Sequence, residues 1–344
     1  MSSFPRSSLT ALAVVFALTA SACADDGAES GARSDASEST VTQETASETA
    51  EGAPSRDAGA EPAPEPAPGE DIIAASAPGD WRTVDPARLL VIETGRGPIY
   101  VETAPEFAPN HVDRMEELAR MDWFRMKVWH RVIDGFMAQG GGALSDPTAA
   151  PDLPPLEAEF TIMRGPEMEI TEVQQRRVNP RRGSAEAMAG FWMGMPAGTQ
   201  PIAQAAIRAD GQVESWLLHC PGTAAMARTA DPNSARAQFY IVRDDARHLD
   251  TQYTPWGYTR AGLDIVQALP VGSLSDDPYF EPDYIRNIVP ATELDAGQRL
   301  TIEVMDTTSD TFQAYLDAVA LANNGELPDI CDIEVPVRIQ DPTE

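Results

Sequence analysis

Imidazole is the commonest metal ligand and general base near neutral pH, so His111, His130, His219 and His248 are the first side chains to weigh. None stands at ligand spacing from another histidine or from a carboxylate cluster, so the sequence predicts no metal site and no cofactor. His219 and Cys220 are adjacent, a spacing that suits neither a metal pair nor a Cys/His nucleophile arrangement. Gly140-Gly141-Gly142 reads as a strand end and not a phosphate loop, because no Lys-Ser/Thr follows it. Two dense runs remain, Trp129 to Gly141 and Met226 to Ile241, in which arginine and glutamine are set among apolar residues.

The elements that must carry these runs are mostly strands. Leu89 to Thr94 and Pro98 to Thr103 have strand composition around the turn Gly95-Arg96-Gly97, which predicts a hairpin. Pro109 suits the first turn of a helix whose buried face is Val112, Met115, Leu118 and Ala119. Strands are expected at Lys127 to Val132, Phe136 to Gln139, Ala237 to Val242 and Trp256 to Thr259, with a short helix over Gly262 to Leu269. Strands outnumber helices and connections are short, so the pattern suits a mainly β fold, an antiparallel barrel capped by a helix or two.

The run Trp129-His130-Arg131-Val132-Ile133-Asp134-Gly135-Phe136-Met137-Ala138-Gln139-Gly140-Gly141 resembles the cyclophilin signature F-H-R-V-I-x-x-F-M-x-Q-G-G, with Trp129 in place of Phe. Met226-Ala227-Arg228-Thr229-Ala230-Asp231-Pro232-Asn233-Ser234-Ala235-Arg236-Ala237-Gln238-Phe239-Tyr240-Ile241 resembles the bacterial form M-A-R-T-x-D-P-x-S-A-x-S-Q-F-F-I. His248-Leu249-Asp250 and then Trp256-Gly257 follow in the family's order. The resemblance covers about 85–292. It implies a cyclophilin-like eight-stranded antiparallel barrel capped by two helices, and a groove for X-Pro segments of unfolded or exported proteins.

Rotation about a prolyl amide faces a barrier of about 18–20 kcal/mol from the partial double bond. No covalent bond breaks, so the reaction needs tighter binding of the twisted amide than of either planar form. The resemblance assigns to Arg131 the donor that meets the localised nitrogen lone pair, and arginine, always charged and planar, suits that task. Gln139 is expected to assist it. The proline socket falls to Phe136, Met137, Tyr240 and Leu249, the added-strand contact to Ala227 and Arg228, and Gln238 holds the strand of Tyr240. Tyr240 stands where the family usually has Phe. Tyr253 falls where many eukaryotic members carry His, and His248 where some carry the Trp that contacts cyclosporin, so weak cyclosporin binding is expected.

The 344 residues carry a formal net charge of −29, which argues against a nucleic-acid partner and against broad adsorption to anionic lipid. With 42% hydrophobic residues the chain can bury a sizeable core. Residues 1–23 read as a signal peptide: Arg6, a short apolar run from Leu9 to Thr19, then Ala20-Ser21-Ala22-Cys23. That last tetrad resembles a bacterial lipobox, which implies lipidation of Cys23 and membrane contact through that lipid alone. Ala24 in place of the Asp retention signal points to the outer membrane, on the periplasmic side of the cell envelope. Residues 24–80 hold fourteen acidic residues and two arginines, with almost no aromatics, and read as a disordered tether of roughly 40 Å or more. Cys220 and Cys331 fit either a disulfide or two free thiols.

Between the blocks lies an insertion, about 163–218, with Arg176-Arg177, Arg181-Arg182 and the apolar run Phe191 to Pro196. It reads either as a docking flap beside the groove or as a packing elaboration. A C-terminal extension, 293–344, offers one helix with Phe312, Tyr315, Leu316 and Val319 on one face and Gly325 at its end, then a strand-like alternation from Ile330 to Ile339. It is expected to pack on the barrel or to mediate dimerisation. The leading function is an active envelope isomerase that assists folding of exported proteins. The alternative is a catalytically weak peptide-binding or scaffold lipoprotein.

Overall fold

The computed structural model describes residues 67–176 and 187–341. The strands Leu89–Thr94 and Pro98–Thr103 are buried along nearly their whole length, because their two faces serve two different layers. Leu90, Ile92, Ile99 and Val101 point into the central core, while Leu89, Val91 and Tyr100 pack beneath an outer sheet. Their register, Leu90 opposite Val101 and Ile92 opposite Ile99, sets like faces against each other.

Ten antiparallel strands form one curled sheet in the order Gly272–Ser273, Arg131–Ile133, Met137–Gly140, Phe239–Val242, Thr223–Met226, Pro255–Ala261, Pro98–Thr103, Leu89–Thr94, Tyr284–Pro290, Lys127–Val128. The two at the ends are only two residues long. The eight between them match the expected eight-stranded barrel. Val128 N–H donates to the Gly142 carbonyl at 2.9 Å, drawing one end of the sheet back toward the strand Met137–Gly140. The core inside is aromatic: Phe239 lies edge-on to Phe124, Trp129 and Trp256.

The helix Pro109–Arg120 buries Val112, Met115, Leu118 and Ala119 against that core. Its first turn has no local side-chain cap. Glu159 instead accepts from Asn110 N–H and His111 N–H, both at 3.1 Å, and places negative charge at the positive end of the helix. The short helix Leu263–Gln267 covers part of the remainder.

Among the described residues, the insertion, the C-terminal extension and the segment 70–83 assemble outside the barrel. The insertion is a five-stranded sheet in the order Ile162–Arg164, Val213–Leu217, Met195–Thr199, Ala187–Trp192, Thr171–Arg176. Against it packs the helix Asp310–Ala322, started by Ser309, whose Oγ accepts from Phe312 N–H at 3.1 Å. Phe312, Tyr315 and Leu316 share a cluster with Phe191, Trp216 and Trp81. A third sheet, Trp81–Thr83, Thr301–Met305 and Val337–Gln340, lies over Leu89, Val91 and Tyr100.

Three expectations change here. The tether was expected to run to residue 80, but Glu70–Ala75 is helical, with Ile72 and Ile73 packed beside the Phe312 cluster. Two isoleucines on one turn supply the apolar contact that the acidic stretch before them lacks. Strand structure was expected from Ile330 to Ile339. Only Val337–Gln340 pairs, because Ile330–Asp332 forms a 3-10 turn capped by Asp329. The extension packs on the barrel through its strands, as expected, but its helix packs on the insertion. Arg177, Arg181 and Arg182 lie outside the described residues.

Two devices join the barrel to its elaboration. Cys220 and Cys331 form a disulfide, Cα atoms 4.9 Å apart across 111 positions. Glu102, fully buried on a barrel strand, accepts from Arg82 at 2.8 and 2.7 Å and from Arg260 at 2.7 Å. Both guanidiniums also reach the turn of the insertion hairpin: Arg260 donates to the Gly194 and Met193 carbonyls, Arg82 to Met193. That turn holds Met193 at φ 50° and Gly194 at φ 73°, the left-handed pair that a two-residue hairpin connection requires.

Candidate active site

Arg131, Met137 and Gln139 come together because the strands Arg131–Ile133 and Met137–Gly140 pair with Arg131 opposite Gln139. The next strand brings Tyr240 opposite Gln139. Phe136 sits in the turn between the first two strands, and its carbonyl accepts from Arg243 N–H at 2.9 Å. The 3-10 turn Arg247–Leu249 delivers Leu249 from the far side.

Nine of the eleven residues expected to act on substrate line one cavity of about 190 Å³: Arg131, Phe136, Met137, Gln139, Ala227, Arg228, Tyr240, Leu249 and Tyr253. Small-molecule sites hold about 300–1,000 Å³, so this socket suits one compact side chain. The other two stand beside it. Gln238 lines an adjoining cavity of about 460 Å³ with Thr148, Ser234 and Arg236. His248 is exposed at the rim, stacked on Phe136 with ring centroids 5.4 Å apart. Among the described residues, none of the insertion lines either cavity.

The polar groups of the site form a chain. Arg131 Nη1 donates to Gln139 Oε1 at 3.4 Å, Gln139 Nε2 to Gln238 Oε1 at 3.0 Å, and Gln238 Nε2 to the Pro147 carbonyl at 2.6 Å. Among the described residues Arg131 has no carboxylate partner. Its guanidinium is half-buried, with the Met137 sulfur and the Gln139 amide as its neighbours. Arg228 lies over the Tyr253 ring at 4.2 Å and donates to the Gln252 carbonyl, which fixes its place between the two cavities.

Sequence reading missed two groups beneath the socket. His219 and Asp250 are fully buried and hydrogen-bonded to each other, and His219 also meets the Tyr240 hydroxyl. Burial pushes the Asp250 carboxyl up, against the pull of its bonds from His219, and it pushes the Tyr240 phenol well up. Two of the four histidines thus pair with carboxylates, His111 with Glu159 and His219 with Asp250, from positions too far apart in sequence for spacing to reveal. His130 is buried, which lowers its pKa, and its carbonyl accepts from Leu274 N–H.

A curled antiparallel barrel with a guanidinium beside an apolar socket is the architecture of a prolyl isomerase of the cyclophilin class. The chain belongs to that family: the model described as "Cyclophilin type peptidyl-prolyl cis-trans isomerase/CLD" matches residues 89–289. The crystal structure of cyclophilin AquaCyp293 from Hirschia baltica is similar at 33% identity and a TM-score of 0.66, over 80% of this chain and 98% of that one. A probable peptidyl-prolyl cis-trans isomerase of Brucella abortus (strain 2308) is 28% identical over 193 residues, 56% of this chain and 76% of its own. Peptidyl-prolyl cis-trans isomerase B of Escherichia coli (strain K12) is 26% identical over 189 residues, 53% of this chain and 83% of its own. The protein is a cyclophilin-type peptidyl-prolyl cis/trans isomerase.

Proposed function

We propose that this isomerase acts in the bacterial envelope on X-Pro bonds of exported proteins, tethered by a lipid on Cys23, and that Arg131 drives the rotation. The observation that carries the chemical part is the Arg131 guanidinium, without a carboxylate partner among the described residues, beside a socket walled by Phe136, Met137, Tyr240 and Leu249. The socket receives the prolyl ring, and the preceding residue crosses toward Ala227 and Arg228. As the amide twists, its nitrogen lone pair localises and becomes an acceptor. A guanidinium already in place stabilises that state more than either planar form. Gln139, itself held by Gln238, keeps Arg131 directed at the nitrogen and bonds the substrate backbone.

The test is cis/trans exchange of a short Ala-Pro peptide, read by NMR with the purified protein and with Arg131→Ala. Wild type accelerates exchange, and the variant loses tenfold or more. Full activity in a folded Arg131→Ala protein would remove Arg131 from the mechanism. For the anchor, mass spectrometry of the N-terminal peptide finds a diacylglyceryl group on Cys23, and Cys23→Ser releases the protein from the membrane fraction. An unmodified Cys23 would refute the lipoprotein reading.

A further inference from the structure

A buried hydrogen-bonded chain runs beneath the socket, and the isomerase chemistry above does not use it. His219 follows the last insertion strand, Val213–Leu217, and precedes the disulfide residue Cys220. Its backbone N–H donates to Asp250 Oδ1 at 2.8 Å, and its ring Nδ1 meets the same oxygen at 2.9 Å. Its Nε2 lies 3.1 Å from the Tyr240 hydroxyl. His219 and Asp250 have no solvent exposure, and Tyr240 is 4% exposed.

The direction of this chain follows from what each group can do. Asp250 Oδ1 already accepts from the His219 N–H, and a proton on Nδ1 lets the same oxygen accept a second bond. In that tautomer Nε2 is an acceptor, and the Tyr240 phenol is its donor. The hydroxyl is thereby committed to His219, which is not among the residues lining the cavity. The socket keeps the carbon face of the ring, which lies edge-on to Tyr253 at 5.9 Å. Asp250 follows Leu249, another socket wall, so one imidazole ties together two walls that come from different elements. Sequence reading saw only that Tyr240 adds a hydroxyl near the socket; the structure shows where that hydroxyl goes.

We propose that His219 and Asp250 are positioning residues for isomerisation: they act through Tyr240, holding its ring as the fixed apolar wall against which the prolyl ring seats. This rests on the reading that proline occupies this socket. Without His219 the buried phenol has lost its acceptor, and the ring turns to find another at the expense of the wall. Removing the hydroxyl as well takes away the reason to turn.

The experiment compares wild type, His219→Phe and the double variant His219→Phe/Tyr240→Phe, with Ala-Pro exchange rates and melting temperatures measured on each. His219→Phe keeps the backbone bond to Asp250. It is expected to lose about tenfold in kcat/KM, and the double variant to regain at least threefold of that loss. A purely structural histidine would lower melting temperature without this rescue; equal losses in both variants, or none in a folded His219→Phe, would overturn the proposal. Should His219→Phe not fold, 15N NMR of the wild-type imidazole decides. Protonated Nδ1 with bare Nε2 is expected, and the opposite tautomer overturns the assignment. An Ala-Pro peptide that fails to shift the Tyr240 and Phe136 ring signals would refute the socket reading itself, and this inference with it.

Discussion

Replacing Glu102 by Gln removes the charge that holds two arginines inside the protein. The carboxylate accepts three charged hydrogen bonds, two from Arg82 and one from Arg260, all between 2.7 and 2.8 Å. Breaking a buried ion cluster by deleting one partner costs about 3–5 kcal/mol, because an uncompensated charge stays behind. The Arg260 side chain is 1% exposed and cannot be rehydrated without opening the interface, whereas Arg82 is 20% exposed and can recover some water. That places Glu102→Gln near the lower half of the range, at about 3–4 kcal/mol. At roughly 2–4 °C per kcal/mol for a protein of this size, the melting temperature falls by about 6–16 °C. There is also a pH signature. Burial pushes the Glu102 carboxyl up, but Arg260 and Arg82 outweigh it and hold its pKa below the ordinary value. A carboxyl lowered on folding stabilises the protein above its unfolded pKa of about 4.3. That contribution is lost as pH falls through the folded value. Calorimetric melts at pH 7 and at a series of values below 4.5 should show the wild type losing its advantage over Glu102→Gln on acidification. A variant within 1 kcal/mol of wild type at pH 7 would show that the cluster contributes little and refute this reasoning.

Reduction of the Cys220–Cys331 bond should lower the melting temperature, since a loop of this length is worth about 4.7 kcal/mol by chain entropy; identical melts with and without reductant would count against it. Gly190→Ala should destabilise by about 1–3 kcal/mol, because an added Cβ would lie 2.1 Å from the Thr171 carbonyl oxygen across the strand pair, and guanidinium titration reads the loss. The cavity beside the socket carries Arg228 and Arg236, neither in an ion pair among the described residues. Side chains two residues apart share a face of an extended peptide. Peptides with Glu two residues from proline on the side facing this cavity should therefore exchange severalfold faster than Lys counterparts, with the difference shrinking in salt; equal rates would deny the cavity a charge preference. Cyclosporin inhibition should be weaker than nanomolar, with His248 exposed at the rim in the place where the resemblance puts Trp in some members, and a nanomolar inhibition constant would contradict this.

The barrel and the socket were legible because they are written in contiguous runs. Arg131, Phe136, Met137 and Gln139 sit within nine positions, so a hairpin register alone brings them together. Tyr240 and Leu249 were legible only through the resemblance, since nothing in their own neighbourhoods distinguishes a socket wall from a core residue. His219 and Asp250 were not legible. The first lies beside a cysteine, the second inside a family block, and only the folded chain brings them within hydrogen-bond distance. The outer layer was illegible for a related reason. Trp81 pairs with Met305 and Cys220 with Cys331, and such long-range partners carry no local periodicity. Ile72 and Ile73 show the converse error, in which an acidic, proline-rich composition hid two residues that dock.

The outer layer draws its strands and helices from both ends of the described chain and from its middle, so it is the last part of the protein that can exist. A chain leaving the ribosome N-terminus first holds every barrel strand once residue 290 is made. Trp81, Phe191 and Trp216 must then wait for Phe312 and Tyr315 before their apolar surfaces are covered. Until then every barrel strand is present while an apolar patch waits for its cover. The closing disulfide joins Cys220 to a residue near the far end of the sequence. It can therefore close only after the covering helix Asp310–Ala322 has been made, whereas a chain cut short before Phe312 would leave the patch exposed.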